Sequence, residues 1–300
     1  MDYIGIVKKA YHITIKNKFL WIFAILAGGY GGFRGFNTSN LTSYSTNNND
    51  YNKLSSYLNG LDLATFWDKF GSAVITIGVI LFIFAIIMFI LNLISQGALI
   101  GSVAKINKDE KSNFKDGFKI GWHNFWRVWG VGIIYLLMIL ASLIVLIVPV
   151  AVSLIAGGYI FGIIWGILLF FVCLAFWILI GLISPYSFRV VVLEKKSVWQ
   201  SIRESLHFFR DNWVSVVVMY LFLFGISLVF SLVLVLAILL IGAILLLIGY
   251  GLYLASYTVA IFYAIMAVLG FFIAIIVATG AFNSFYSTSI TLTYQKLKES

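Results

Sequence analysis

The chain has 300 residues, 62% of them hydrophobic and 10% charged, with a formal net charge of +9, and its mean hydropathy is +1.04. No Asp, Glu, Lys or Arg occurs in 70–104, 128–188 or 212–295, windows of 35, 61 and 84 residues. A helix crosses a hydrocarbon core with about 20 apolar residues. These runs therefore exclude a soluble globular fold, and basic residues that flank them fit membrane topology and anionic headgroups better than nucleic acid.

The pattern reads as one all-α domain over 1–300, a polytopic transmembrane helical bundle of about six spans. Lys8, Lys9, Lys16 and Lys18 precede a short apolar run, Phe19 to Ala27. No A-x-A-like cleavage site follows, so we read a first span at 18–35 rather than a removed signal. The stretch 37–59 is rich in Asn, Ser, Thr and Tyr and reads as an external loop. Its glycosylation-like triplets, starting at Asn37 and Asn40, matter only in a eukaryotic secretory setting.

Further spans are expected at 72–97, 130–152, 158–184, 213–240 and 256–287. Pro149 falls near the outer turn between the third and fourth, and Pro185 at the inner end of the fourth. The window 212–295 is punctuated only by Gly242, Gly249 and Gly251. It fits two long helices turning near Gly249-Tyr250-Gly251, four short spans, or two spans around a re-entrant piece. Basic blocks at 8–18, 105–127, 189–210 and 296–298 all fall on one side of an even number of spans. The positive-inside rule then puts both termini in the cytoplasm of a multi-pass cell-membrane protein. Lys-, Asn- and Ile-rich usage reads as prokaryotic.

The segments that enter the spans share a pattern. Val7-Lys8-Lys9-Ala10-Tyr11-His12, Phe118-Lys119-Ile120-Gly121-Trp122-His123 and Ile202-Arg203-Glu204-Ser205-Leu206-His207 each read apolar, basic, any, small, apolar, His. These are all three histidines of the chain. The expectation is three repeats, 1–106, 112–195 and 197–298, each an amphipathic interfacial helix followed by a helical hairpin. In the second, Phe114, Phe118, Trp122, Phe125 and Trp129 recur at helical spacing with lysines on the other face. This suits the headgroup boundary. Lys115, Lys119, Trp122, Arg127, Trp199, Arg203, Arg210 and Trp213 are the expected headgroup-interface residues, and anionic membrane lipids the expected partners. A protein partner is left open.

Chemistry is thinly signalled. There is no phosphate loop, zinc motif or nucleophile elbow, so no cofactor and no catalytic residue is assigned, and the reading leans against an enzyme. His12, His123 and His207 are metal candidates only if the repeats bring them together; the simpler reading is an interfacial side chain bonding a headgroup or a helix end. The lone Cys173 reads as a buried, inert thiol. Asn92, Ser95, Gln96, Ser184, Asn283 and Ser284 fall at the inner ends of three spans. They read as a polar cluster that glues helices together, or as a vestibule for a neutral or lipid substrate.

The S-x-φ-x-x-φ-like entries at Ser112 and Ser197 (φ, apolar), the amphipathic segments before hydrophobic hairpins, and the small-residue ends of the inward spans carry a resemblance. The chain resembles the bacterial and archaeal integral membrane proteins grouped with the membrane domain of glycerophosphoryl diester phosphodiesterase. In fused members of that group a separate soluble barrel domain hydrolyses the substrate. The acid/histidine motif of that domain has no match here, so the resemblance implies a stand-alone membrane domain without that activity. The function expected is non-enzymatic binding of lipids or a partner, or membrane organisation. The alternatives are a transporter for a neutral or amphiphilic solute and an interfacial lipid-acting enzyme.

Overall fold

The computed structural model describes residues 1–28, 63–156 and 158–299. Regular structure among them is helical throughout. Helix α1 (Tyr3–Lys16) starts at an Asp2 cap whose carboxylate accepts from the Gly5 amide at 2.8 Å. It stops at Asn17, whose side-chain amide donates to the Ile13 carbonyl at 2.9 Å. Helix α2 (Phe19–Leu26) follows directly, and Trp21 Nε1 donates to the Thr14 carbonyl at 2.9 Å across the corner. Five longer helices come next: α3 (Leu63–Asn107), α4 (Phe114–Ile155), α5 (Tyr159–Leu193), α6 (Val198–Ala255) and α7 (Tyr257–Glu299). These five of the described helices are long and apolar enough to cross a membrane.

Several expectations change. The first span is present only as the eight residues of α2. Residues 29–35, and the loop 37–59 with Asn37 and Asn40, lie outside the described residues. The window 212–295 forms two long helices, and the chain turns at the extended Ser256 (φ −161°, ψ 120°) rather than at Gly249–Gly251, which stay helical inside α6. In an apolar segment the helix itself is what satisfies the backbone, so glycine alone does not end it.

A separate short helix was expected before the first, third and fifth spans. Helix α1 is one, and α6 kinks at Asn212 (φ −122°, ψ 21°). By contrast α4 is continuous from Phe114 to Ile155. The two breaks share a side-chain feature. Asn17 and Asn212 each stand five residues after a histidine, and each donates to the carbonyl four residues back, Asn212 to Phe208 at 3.2 Å. Such side-chain bonds compete with the helical ladder. The residue five after His123 is Val128, which has no side-chain donor; Asn124 makes the same kind of bond, to Ile120 at 2.9 Å, without breaking α4, so the bond accompanies the breaks and does not by itself cause them.

Burial is concentrated at one end of the molecule. One cluster joins Ile6, Ala10, Leu20 and Phe23 to Val103, Val190, Met219, Ile290 and Tyr294. A second joins Leu93, Ile100, Val128, Val131, Tyr135 and Val191. Away from this core the helices run on as arms whose large apolar side chains are mostly exposed, from Val74 to Phe89 in α3, for example, and from Phe224 to Leu254 in α6. At about 1.5 Å per residue the stretch 224–255 of α6 is about 48 Å long, against about 30 Å for a hydrocarbon core.

Small residues set the crossings in the core. A Cβ added at Gly121 would lie 2.1 Å from the Ile94 carbonyl oxygen, so α3 and α4 touch backbone to backbone there. A Cβ at Gly280 would lie 2.2 Å from Ile25, where α7 crosses α2. Close approach through small residues is the usual currency of helix association in lipid. The C-terminal half of α7 adds Ser284, Ser287, Thr288, Ser289, Thr291 and Thr293, all buried. Ser289, Thr291 and Thr293 each donate to the carbonyl four residues back, so they bury little unmet polarity.

Candidate functional site: a polar cavity beneath a basic face

Four of the six clustered polar residues meet. Asn92 on α3 donates to the Leu26 carbonyl at 3.2 Å, closing the otherwise open C-terminal end of α2. Gln96, one turn on, donates to Asn92 Oδ1 at 3.1 Å. Gln96, Ser184 and Asn283 then line one cavity of about 50 Å³, bounded also by Ala24 of α2 and by Ala27 just after it. Ser95 and Ser284 are buried in the packing instead, and Ser284 Oγ has no hydrogen-bond partner among the described residues.

The same cavity is lined by a residue that the sequence reading assigned to topology. Arg189 borders the charge-free window 128–188 and reads there as a loop cation. In the structure it is 2% exposed. Its Nη1 donates to the Pro185 carbonyl at 2.6 Å, its Nη2 to the Ser287 carbonyl at 2.9 Å and its Nε to Thr291 Oγ1 at 3.1 Å. The guanidinium therefore ties α5 to α7 and places a fixed positive charge beside the cavity. The available signal was its company. Val190-Val191-Val192-Leu193 follows it, and an arginine that precedes four apolar residues on a helix is not yet in a loop.

A second cavity, about 350 Å³, adjoins the first. The two share Gln96, Ser184 and Phe188. Beyond them the walls are apolar, including Phe89 and Leu93 of α3, Trp129 and Leu136 of α4 and Ile180 of α5. Tyr135 also lines it and shares a hydrogen bond of 2.6 Å with Ser187 Oγ, which in turn shares one of 2.5 Å with Ser205 Oγ. Larger apolar cavities, about 580 and 530 Å³, lie between the arms of α6 and α7.

The histidines do not assemble. His12, His123 and His207 are all exposed. Among the described residues no three His, Cys, Asp or Glu side chains are placed to hold a metal ion. Their neighbours are instead alike. The small residue two positions before each, Ala10, Gly121 or Ser205, is buried, and the apolar residue between, Tyr11, Trp122 or Leu206, is exposed. Of the expected interface residues, Lys115, Lys119, Trp122, Trp199, Arg203, Arg210 and Trp213 are exposed. Arg127 is the exception. It is half-buried, and its Nη1 has no hydrogen-bond partner among the described residues. Cys173 is buried and unpaired by any disulfide.

A charged clasp closes the same end. Glu194, at the C-terminus of α5, pairs with Lys298 of α7 and with Lys196 at 2.9 Å, and it accepts from Tyr294. Glu204 of α6 pairs with both lysines. Burial pushes the Glu194 carboxyl up, but the hydrogen bonds from Lys298, Tyr294 and Lys196 outweigh it and bring its pKa to about 2 from an ordinary 4.5. A carboxyl depressed on folding stabilises the native state above its unfolded pKa and loses that contribution as pH falls through the folded one. Thermal unfolding in detergent should therefore show a stability drop between pH 4.5 and about 2. Glu194→Gln should flatten that step and cost about 1–2 kcal/mol near neutrality, a figure discounted for the half-exposed lysines. A pH profile identical in wild type and variant would show that the clasp carries no stability.

A family model described as a family of unknown function (DUF7544) matches residues 18–294. No curated protein and no solved structure matches the chain.

Proposed function

The chain belongs to that family, DUF7544, and from this premise we propose that it is a non-enzymatic integral membrane protein that binds and organises anionic lipids. The observation that carries the reading is the shared exposure pattern of the three leading segments. Each buries its small residue in the core and turns outward an adjacent basic residue, apolar residue and histidine. Exposed Trp122, Trp126, Trp199 and Trp213 beside lysines and arginines make a surface suited to the headgroup boundary. On this reading the core and its basic face lie on the cytoplasmic side of the cell membrane of a prokaryote, with both termini there. The arms reach into lipid. The segments 1–106, 112–195 and 197–298 are three diverged copies of one unit, the middle one having lost its break. Kinship with the membrane-domain proteins of the glycerophosphoryl diester phosphodiesterase group is part of the proposal, and rests on the Ser112 and Ser197 entries and the hairpin pattern.

The competing readings draw less support. A transporter of the broken-helix kind would interrupt its spans at a midplane site, and α6 runs unbroken through Gly249. An interfacial enzyme would want a histidine and a carboxylate poised together, and among the described residues Glu194 and Glu204 pair with lysines and no carboxylate pairs with a histidine.

The test is the lipid shell. In nanodiscs of mixed phosphatidylcholine and phosphatidylglycerol, the wild type should retain an excess of the anionic lipid. The combined variant Lys115→Gln, Lys119→Gln, Arg203→Gln, Arg210→Gln should lose most of it, at about 1 kcal/mol per cation near a charged surface. An unaltered shell in a folded variant would overturn the reading.

A further inference from the structure

We propose that the Arg189 cavity and the apolar cavity beside it form one site for a single amphiphile, with a compact anionic head, a carboxylate or a terminal phosphate, at Arg189 and a hydrocarbon tail between α3, α4 and α5. The inference rests on the lipid-binding reading above, but not on its basic face. The exposed cations of that face would meet any anionic lipid, whereas this site is built inside the core.

Three features define its chemistry. The head chamber, about 50 Å³, carries Gln96, Ser184, Asn283 and Ser287 as neutral polar groups and Arg189 as its charged one. A buried guanidinium held by three named bonds is a preorganised positive charge, and in a low-dielectric core it favours an anion strongly. The size of the chamber limits the head. A single water takes roughly 10–15 Å³ of such space, so the chamber suits a carboxylate or a phosphate monoester and not a choline, inositol or sugar head. The tail chamber, about 350 Å³, opens from it past Gln96, Ser184 and Phe188. It follows α4 from Trp129 to Ile139, about 15 Å of helix, in the direction of the exposed arms. Polar head inward and hydrocarbon toward the arms is the orientation a lipid would need on entering sideways from the bilayer.

The variant that tests it need not disturb Arg189. No heavy atom lies within 4 Å of a Cβ built at Gly132, which lines the tail chamber, so Gly132→Phe can be accommodated and would fill that chamber. Gly225 is equally open, and it lines neither chamber, so Gly225→Phe is the matched control. Full-length protein is placed in phosphatidylcholine nanodiscs doped with phosphatidic acid, with oleic acid, or with neither, and retained lipid is counted by native mass spectrometry.

The expected result is one tightly retained anionic amphiphile per chain in wild type and in the Gly225→Phe control, and roughly tenfold weaker retention in Gly132→Phe, about 1.4 kcal/mol. Retention of phosphatidic acid alone assigns the head as a phosphate, and of oleate alone as a carboxylate. Arg189→Gln, where it folds, should abolish the preference for an anion over phosphatidylcholine. Wild type that holds no stoichiometric anion, or a Gly132→Phe variant that holds it as well as the control, would overturn the site. The anionic shell of the basic face is scored separately, as lipid exchanging with bulk, so either idea can fail without the other.

Discussion

Gly121→Leu is expected to cost at least about 3 kcal/mol, enough to prevent recovery of folded, monodisperse protein. The Cβ alone would sit 2.1 Å from the Ile94 carbonyl oxygen, and the atoms it meets next are that carbonyl's carbon and the Ile94 side chain at 3.0 Å. Backbone cannot yield as a flexible side chain can, so α3 and α4 would have to separate at the centre of the core. Separation would also uncover Val128 and Leu93, buried nearby. Gly225→Leu, on an open face, measures what the same change costs where nothing is in the way. Size-exclusion profiles and thermal unfolding of the two variants side by side decide the matter. If Gly121→Leu behaved like Gly225→Leu, the described α3–α4 crossing would be wrong.

The second large effect belongs to Arg189→Met. Methionine keeps most of the length and removes the fork that reaches the Pro185 carbonyl, the Ser287 carbonyl and Thr291 Oγ1. Hydrogen bonds from a charged group are worth roughly 1.5–3 kcal/mol each. Part of that sum is returned, because a guanidinium no longer has to be desolvated. A net loss of about 3 kcal/mol is expected. Arg189→Lys should recover less than half of it, since an ammonium is a point donor and cannot span three acceptors on two helices. Unfolding of the purified variants in increasing denaturing detergent, followed by helical circular dichroism, gives the ranking. A methionine variant as stable as wild type would mean that the α5–α7 contact is held by packing alone.

The architecture was legible where the physics is one-dimensional. Charge-free runs announce apolar helices because charge is what a bilayer excludes, and α4 gives way to α5 between the spans expected at 130–152 and 158–184, although Pro149 stays inside α4. The polar residues Gln96, Ser184 and Asn283 could be grouped because each marks the inner end of an apolar run. Other features were hidden because they depend on a neighbour. Where a leading segment breaks from its span is not marked by a side-chain amide alone, since Asn17 and Asn212 donate four residues back at the breaks and Asn124 does the same inside the continuous α4. The turn at Ser256 needed no glycine, so the glycines misled. Arg189 was read through the rule that cations lie in loops, which describes the average cation and not one enclosed by α5 and α7.

The core contains the first and last helices together: Ile6, Ala10, Leu20 and Phe23 pack in the same cluster as Ile290, Leu292 and Tyr294. Synthesis proceeds from one to the other, and the helices between them supply both the arms and further core residues, Val103, Val190 and Met219 among them. Helix α3 covers part of the N-terminal apolar face as soon as it is made, through Ala98, Leu99 and Val103, but the contacts with α7 must wait for nearly the whole chain. The core is consequently completed only by the last helix, and a chain interrupted before α7 would leave Ile6, Ala10, Leu20 and Phe23 incompletely covered, a state open to quality-control proteases and chaperones.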